Sequence, residues 1–480
     1  LFVQGKVSYN STFETQQLIE KDILAIYQSS PESAEQWFSD ANPVTEWVEK
    51  PAVIGNEKLS AYVRDLYYEL SAAYANKWGN HDVSALGLFN RRELYSGSSF
   101  PRYEEAWVGR VTYGYGNKYL TEFNAAYTGS EKFAPGKRFG FFPSFALGWV
   151  VSEEEFYKNT SWLSFMPKMK VRYSYGQVGS DRGASSFTYI TDYSSARAAI
   201  FGNTLGYSYG PLYYEGQAAN VNATWETSTK QNLGFEFGLL SKLNLQIDLF
   251  NEQRTGILMN RSNTTPVWFG QSATDANIGE TKSHGYEIEA EWRDMLSKDF
   301  SYFLKAGFSF QENRVIYRDD PVNRLEYQKN AGKQIGYDSR LLYNGFYNSW
   351  DDVYTYPSSV WENSARQPGD MLYTDYNGDG IIDDNDKVPL ELNSIPAYTY
   401  SFNLGFKYKN FDVQANFYGV YDVEKKLTYN LLWEFPTKYV MVWPESVNRW
   451  TPETVESATR PRASLAIVKH NRENSTYGVM

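Results

Sequence analysis

The feature that most constrains this chain is an alternation of apolar and polar residues with a period of two, repeated along its length. In KLNLQIDLFN, Leu243, Leu245, Ile247 and Leu249 share one face, and Lys242, Asn244, Gln246 and Asp248 share the other. SYFLKAGFSFQ sets Leu304, Ala306, Phe308 and Phe310 against Lys305, Gly307, Ser309 and Gln311. YSFNLGFKYKN sets Tyr400, Phe402, Leu404, Phe406 and Tyr408 against Ser401, Asn403, Gly405 and Lys407. The segments YLTEFNAAY (119–127), KMKVRYSYG (168–176) and YEIEAEW (286–292) follow the same rule. Period two is the signature of a strand with unlike surroundings on its two sides. The chain is therefore expected to be all-β, with about 13 or 14 strands.

The connections narrow the choice of fold. Tight turns at GYGN (114–117), Ser241–Lys242 and Lys409–Asn410 join consecutive strands as hairpins. Other connections are long, roughly residues 10–60, 178–225, 253–281 and 314–395. A soluble sandwich or propeller also alternates, but its loops are mostly short. Short turns on one side and long loops on the other describe a large antiparallel transmembrane β-barrel with long extracellular loops. Composition agrees: 40 Tyr, 29 Phe and 14 Trp supply strand formers and interface girdles. Tyr113, Tyr115, Tyr119 and Tyr127 sit near strand ends, where such girdles fall. No apolar run is long enough for a transmembrane helix, which leaves a strand-built span open.

Several function classes drop out. The net charge of −11 argues against nucleic acid as a partner. With no cysteine, thiol catalysis, disulfides and Cys-ligated zinc are excluded. Three histidines (His81, His284 and His470) show no spacing of a zinc site or triad. No paired carboxylates stand out as a hydrolase pair, so no catalytic residue is assigned and the chain is read as a non-enzyme. Glu287, Glu289 and Glu291 alternate along one strand face and are expected to line a lumen. Ser11 and Glu14 fit a capping box ahead of Leu18, Ile19, Leu24, Ile26 and Tyr27, with Pro31 as a stop, which predicts a loop helix.

One segment carries chemistry. YTDYNGDGIIDDND (373–386) matches the D-x-[DN]-x-[DN]-G pattern of a calcium loop. With Asp375 as position 1, Asn377 and Asp379 fall at 3 and 5, Gly380 at 6, Ile381 at 7, Asp383 at 9 and Asp386 at 12. Calcium takes six to eight oxygens, and the alternate side chains, the Ile381 carbonyl and the last acid supply them. Ile381 is expected to pack beneath the loop, and Asp386 replaces the usual longer glutamate. The bland alternative is an Asx-rich turn without an ion. Flanking prolines and the lack of helical periodicity favour a fixed Ca2+ staple over a moving sensor. Exposed loop aromatics are candidates for substrate contact: Trp268 and Phe269 in TTPVWFGQS, and Phe346, Tyr347 and Trp350 in YNGFYNSWDD.

In this order the chain shows EKFAPGKRFGFFPSFALGWVVSEEEF, MKVRYSYGQVGSD, WETSTKQNLGFEFGLL, IGETKSHGYEIEAEW, GDMLYTDYNGDGIIDDND and NRWTPETVESATRPR. Together they resemble the barrel region of SusC-like TonB-dependent outer-membrane transporters of Bacteroidetes, over about residues 60–465. The resemblance implies a 22-stranded barrel with a plugged lumen. It implies a SusD-like surface lipoprotein as partner and import of an oligosaccharide or peptide, energised by the TonB–ExbB–ExbD complex. All of residues 1–480 would then be part of the barrel, with the calcium loop 375–386 on a long extracellular connection. The plug, TonB box and last strands are not recognised, and the ends LFVQGKVSYN and TYGVM read as cut from something longer, so an incomplete barrel is expected. The rival reading is a secreted or surface-attached calcium-stapled β-protein that binds glycans as an adhesin.

Overall fold

The computed structural model describes the chain except residues 17–18, 21–52, 55–57, 98–99, 197–198, 201–207, 210–211, 262–263, 267, 269, 271–272, 362–364, 391–394, 426–443, 465–467 and 478–480. Its main feature is a 13-stranded antiparallel sheet in which strands follow one another in chain order. They are β1 (Phe2–Gln16), β2 (Lys58–Trp78), β3 (His81–Ser96), β4 (Arg102–Tyr115), β5 (Tyr119–Ser130) and β6 (Phe139–Val150). Then come β7 (Lys168–Ser180), β8 (Glu226–Leu239), β9 (Leu243–Asn260), β10 (Asp275–Ser297), β11 (Phe300–Tyr317), β12 (Tyr398–Tyr408) and β13 (Phe411–Tyr421). β1 and β13 are the two edges of the sheet among the described residues.

Cross-strand register turns the sequence alternation into two continuous surfaces. Tyr173, Leu233, Leu249, Tyr286, Phe310 and Tyr398 are successive partners across β7 to β12. One residue along, Arg172, Gly234, Asp248, Glu287, Ser309 and Thr399 form the next row in the same register. Successive side chains of a strand leave opposite faces, so the first row builds an apolar surface and the second a polar one. β6 shows the apolar surface in profile: Phe139, Phe141, Pro143, Phe145, Leu147 and Trp149 all lie on it. Ten residues of strand span ~33 Å, or ~25 Å across a layer once tilted by ~40°. That is the height of the apolar band on an outer-membrane barrel.

Polar and aromatic residues mark both borders of the band. At the short-turn rim it ends in Trp78, Tyr115, Tyr119, Trp149 and Tyr408, with Trp292 donating to the Tyr302 hydroxyl at 3.1 Å. Toward the long loops, Trp107, Tyr127 and Phe141 stand in register. Beyond them the same face turns charged, with Arg91, Glu93 and Glu105 in one part and His284, Glu312 and Arg314 in another. The turns at the short rim use left-handed backbone: Gly116 and Asn117 both have φ 56°, the conformation a tight hairpin needs.

The structure departs from the sequence pattern in two places. Residues 11–16 do not open a helix: they continue β1, with Ser11 opposite Arg64 and Gln16 opposite Lys58. Thr12, Phe13 and Thr15 suit a strand, and the 21-residue β2 offers backbone partners that outweigh a local capping signal. Residues 21–31 of the expected helix lie outside the described residues. The connection expected over 253–281 is shorter, because β9 runs to Asn260 and β10 starts at Asp275.

Over the long-loop rim lies a second layer, built from the described residues of 318–397 and 444–477. It has its own core of Leu341, Met371, Tyr373 and Ile382, flanked by Tyr343, Phe346, Trp361 and Tyr477. Short strand pairs frame it, such as Asp338–Arg340 with Val388–Leu390. Arg340 joins this layer to the chain just past β13 through a buried ion pair with Glu424.

Candidate functional site

On the polar face, charges are arranged across strands rather than along them. β7 contributes Lys168, Lys170 and Arg172 from successive inward positions. All three surround Glu236 of β8, at 3.0, 3.3 and 3.5 Å. Arg172 also reaches Asp248 of β9 at 2.7 Å, and Asp248 accepts from Asn232 and Gln246 at 2.8 and 2.9 Å. The path is open because Gly234 lies between the two strands; a Cβ there would stand 2.6 Å from Arg172 Nε. Further along, Arg110 pairs with Glu122 at 2.8 Å, Lys305 with Glu289 at 3.1 Å, and Arg92 with Asp65 through two bonds. A depression of about 590 Å³ at the short-turn end is lined by Lys77, Asp82, Glu122, Lys170 and Arg172. Balanced pairs of this kind hold charge in a wet wall without a large net field. Sequence reasoning singled out Glu287, Glu289 and Glu291 on this face but not the Arg172 cluster. The alternation of KMKVRYSYG carried the signal, since it sets three cations on one face.

The acidic segment lies in the loop layer, and its carboxylates are wrapped by backbone N–H groups. Asp375 accepts from Gly378 and from Gly380, each at 2.8 Å, one on each oxygen. Asp379 accepts from Ile381 at 2.9 Å, and Asn377 from Asp379 at 3.0 Å. Asp386 is fully buried and accepts from Tyr376, Asn377 and Asp383 at 2.7, 3.3 and 2.8 Å. Asp383 accepts from Asn385 at 2.6 Å. Gly378 and Gly380 hold φ of 74° and 84°, so the reversal needs glycine at both. Burial pushes the Asp386 carboxyl above the usual carboxylate range, and the Asp375 charge adds to that rise.

The apolar residue under the loop is Ile382, 1% exposed, and not Ile381, which is 43% exposed. Ile381 and Ile382 pair in parallel with Ser358 and Ser359, and alternation turns only the second toward the core. Tyr327 and Gln328 bond the carbonyls of Asn385 and Asp384 from outside. Among the described residues, no group of three or more His, Asp or Glu side chains is drawn together as a metal cluster.

The candidate aromatics divide. Trp268 is 87% exposed, and Trp350 is exposed and stacked on Tyr354 with ring centroids 6.1 Å apart. Phe346 packs against the loop-layer core, and Tyr347 is buried with its hydroxyl accepting from Arg366 at 2.6 Å. Phe269 lies outside the described residues. His470, unassigned from sequence, is fully buried between Ser359 and the Met371 carbonyl.

A sheet with a lipid-height apolar band, a charged opposite face and long loops at one rim defines the wall of a transmembrane β-barrel. Residues 8–420 match the family model described as TonB dependent receptor-like, beta-barrel, and the chain belongs to that family. It is 28% identical over 383 residues to TonB-dependent receptor P3 of Formosa agariphila, covering 77% of this chain and 36% of that protein. It is 28% identical over 400 residues to TonB-dependent receptor SusC of Bacteroides thetaiotaomicron, covering 74% of this chain and 37% of that one. The chain thus spans little more than a third of the length of these curated relatives. Among solved structures, the RagAB peptide importer in its open-open state superposes with a TM-score of 0.69 at 14% identity, over 100% of this chain and 51% of that one. The RagAB peptide transporter gives 0.66 at 15% identity, over 87% and 47%. These likenesses confirm the barrel fold, and membership of the TonB-dependent receptor family places the chain in the bacterial outer membrane, where the apolar face meets lipid.

Proposed function

We propose that this chain is part of the barrel wall of an outer-membrane importer of oligosaccharide or peptide nutrients, energised through TonB–ExbB–ExbD and capped by a SusD-like surface lipoprotein. The observation that carries the reading is the pairing of the two faces in one register: a lipid-facing band outside and the Arg172–Glu236–Asp248 network inside, in a chain of the TonB-dependent receptor family. The charged wall keeps a hydrated path, and the loop layer forms its outer mouth. A relative named TonB-dependent receptor SusC and a fold shared with a peptide importer support the nutrient-uptake reading. No bond chemistry is assigned, and membership of this family favours import over the adhesin reading. The test is uptake of labelled oligosaccharide and peptide pools by cells carrying or lacking the intact protein. Loss of one pool's uptake on deletion, restored by the gene, is expected; unchanged uptake of both pools contradicts import.

Trp268 and Trp350 are offered as substrate contacts, because exposed rings stack on sugars and peptides. Tyr347 packs against Val353, on the helical turn that carries Trp350, and Phe346 packs against the loop-layer core. A Trp350→Ala variant is expected to raise the half-saturating concentration for uptake; an unchanged value contradicts the assignment.

The loop 375–386 is proposed as a Ca2+ staple on the extracellular side. Each carboxylate oxygen has two lone pairs. The backbone bonds therefore leave acceptor capacity on Asp375, Asp379, Asp383 and Asp386, beside Asn377 and the Ile381 carbonyl. A bound cation would also favour the ionised form of Asp386, which burial opposes.

A further inference from the structure

One connection at the short-turn rim differs from its neighbours. The other hairpins there turn in two or three residues, whereas β6 and β7 are joined by residues 151–167. This connector folds as a 3-10 turn (Val151–Glu153), a helical turn (Glu155–Lys158) and a second 3-10 turn (Ser161–Leu163). Tyr157 is buried inside it, donating to the Met166 carbonyl at 2.8 Å, so the connector is a compact knot with a fixed surface. Glu154 ties its start to the sheet. Its carboxylate accepts from the Tyr119 hydroxyl at 2.6 Å, from Lys118 at 3.1 Å and from Trp149 Nε1 at 3.2 Å. Tyr119 and Trp149 are cross-strand partners on the apolar face. The knot therefore begins at the polar tips of the rim girdle, on the lipid side of the wall.

Past that anchor the connector exposes Phe156, Trp162 and Phe165, with Trp162 the most open at 71%. The Phe165 carbonyl accepts from the N–H of Leu240 at 2.6 Å, which brings the exposed Leu240 of the β8–β9 turn alongside. Phe165 lies three residues ahead of β7, whose Met169, Val171 and Tyr173 face lipid. Leu296, at the register shift that ends β10, is also exposed at this rim. Apolar exposure of this extent marks an interaction surface. Lys158 and Lys242 flank it, each paired with an acid (Glu153 at 2.5 Å and Asp294 at 2.9 Å).

We propose that this connector is an interfacial foot: Phe156, Trp162 and Phe165 sit in the headgroup–acyl boundary of the membrane leaflet on the short-turn side, continuing the lipid contact of the wall. The occupant is phospholipid, because the surface is continuous with the lipid-facing band and starts at girdle residues that define the depth of that boundary. Tryptophan with flanking lysines suits such a layer, where rings sit at headgroup level and charged tips stay wet. The inference rests on the outer-membrane placement and not on the import reading.

The chain contains no cysteine, which allows single-site labels. Intact protein carrying Trp162→Cys or Phe165→Cys with a bimane label is reconstituted in phosphatidylethanolamine–phosphatidylglycerol vesicles. Asn80→Cys, in the two-residue β2–β3 turn, is the aqueous control. Quenching at 162 and 165 by shallow lipid nitroxides is expected to exceed that at Asn80→Cys at least threefold, with weaker quenching by aqueous acrylamide. Labels as open to acrylamide as the control would overturn the foot and leave a surface facing water. Shielding from both quenchers would overturn it in favour of a protein partner. Should the cysteine variants not fold, native fluorescence decides: quenching by brominated lipid must fall in Trp162→Phe relative to the unaltered protein, and an equal loss in both rejects the proposal.

Discussion

Arg172 of β7 reaches over Gly234 of β8 to meet Asp248 of β9, its Nη2 2.7 Å from the carboxylate oxygen. The three residues are direct register partners, so the contact crosses a whole strand. It exists only because the middle residue has no side chain. A Gly234→Val variant should push Arg172 aside and leave Asp248, 8% exposed, without its cation. The expected loss is about 1–3 kcal/mol, read as a lower unfolding temperature in detergent. Gly234→Ala should lose less. A valine variant as stable as the parent contradicts the contact.

The buried pair Arg340–Glu424 fastens the loop layer to the end of β13. Both side chains are only 4% exposed, so removing one partner strands the other. Glu424→Gln should cost about 3 kcal/mol, toward the low end for a buried pair because Asp338 stays 3.0 Å from Arg340. The double variant Arg340→Met/Glu424→Leu should lose less than either single one. Protease resistance of residues 338–390 is the readout; a double variant whose loss equals the sum of the two single losses would show that the pair is not coupled.

His470 gives the loop layer a pH dependence. Its Nε2–H donates to the Met371 carbonyl at 2.7 Å, so Nδ1 is the acceptor facing the Ser359 hydroxyl at 2.9 Å. Burial, the largest cause, pushes its pKa down to about 4. The folded pKa lies below the unfolded one, so the unfolded state binds the proton first. This stabilisation is complete above pH 6.5 and is lost as pH falls toward 4. The loss should be on the order of 3 kcal/mol across that window. Proteolysis of the layer at pH 7 and pH 4.5 checks it, and His470→Gln should flatten the difference. A His470→Gln protein with an unchanged pH profile contradicts the assignment.

The acidic loop has the opposite sign. The Asp386 pKa is raised, so without a cation its burial favours folding only at low pH, below the unfolded carboxylate value, and opposes it as pH rises. A bound Ca2+, as proposed for this loop, would reverse this at neutral pH. EDTA should therefore speed cleavage within residues 371–390 several-fold at pH 7, and added calcium should restore resistance, but not in Asp375→Ala. Cleavage unaffected by EDTA would leave an Asx-bonded turn without an ion.

The wall was legible in the sequence because each strand carries its own signal. Leu243, Leu245, Ile247 and Leu249 declare a face without reference to any neighbour. Strand ends were less legible: residues 253–260 extend β9 beyond the bilayer, where the outward side turns polar and alternation fades. Ser11–Gln16 misled for a related reason. A capping box is a local preference, and the long β2 beside it decided the outcome. The loop-layer core was hidden because its parts come from distant places. His470 and Met371 are 99 residues apart, and no periodicity links them. Tyr347 looked like a ligand contact for the same reason, since only its unseen partner Arg366 makes it a core residue.

The central claim is that odd and even positions of each wall strand live in different media, and β5 offers the cleanest place to measure it. Spin labels placed singly at residues 122 to 126 of the intact protein in bilayers report collision with oxygen, which concentrates in lipid, and with a water-soluble nickel chelate. Oxygen accessibility should peak at Phe123 and Ala125 and drop at Glu122, Asn124 and Ala126. A flat profile, or one with the peaks at the even positions, would contradict a lipid-facing band opposite a wet interior.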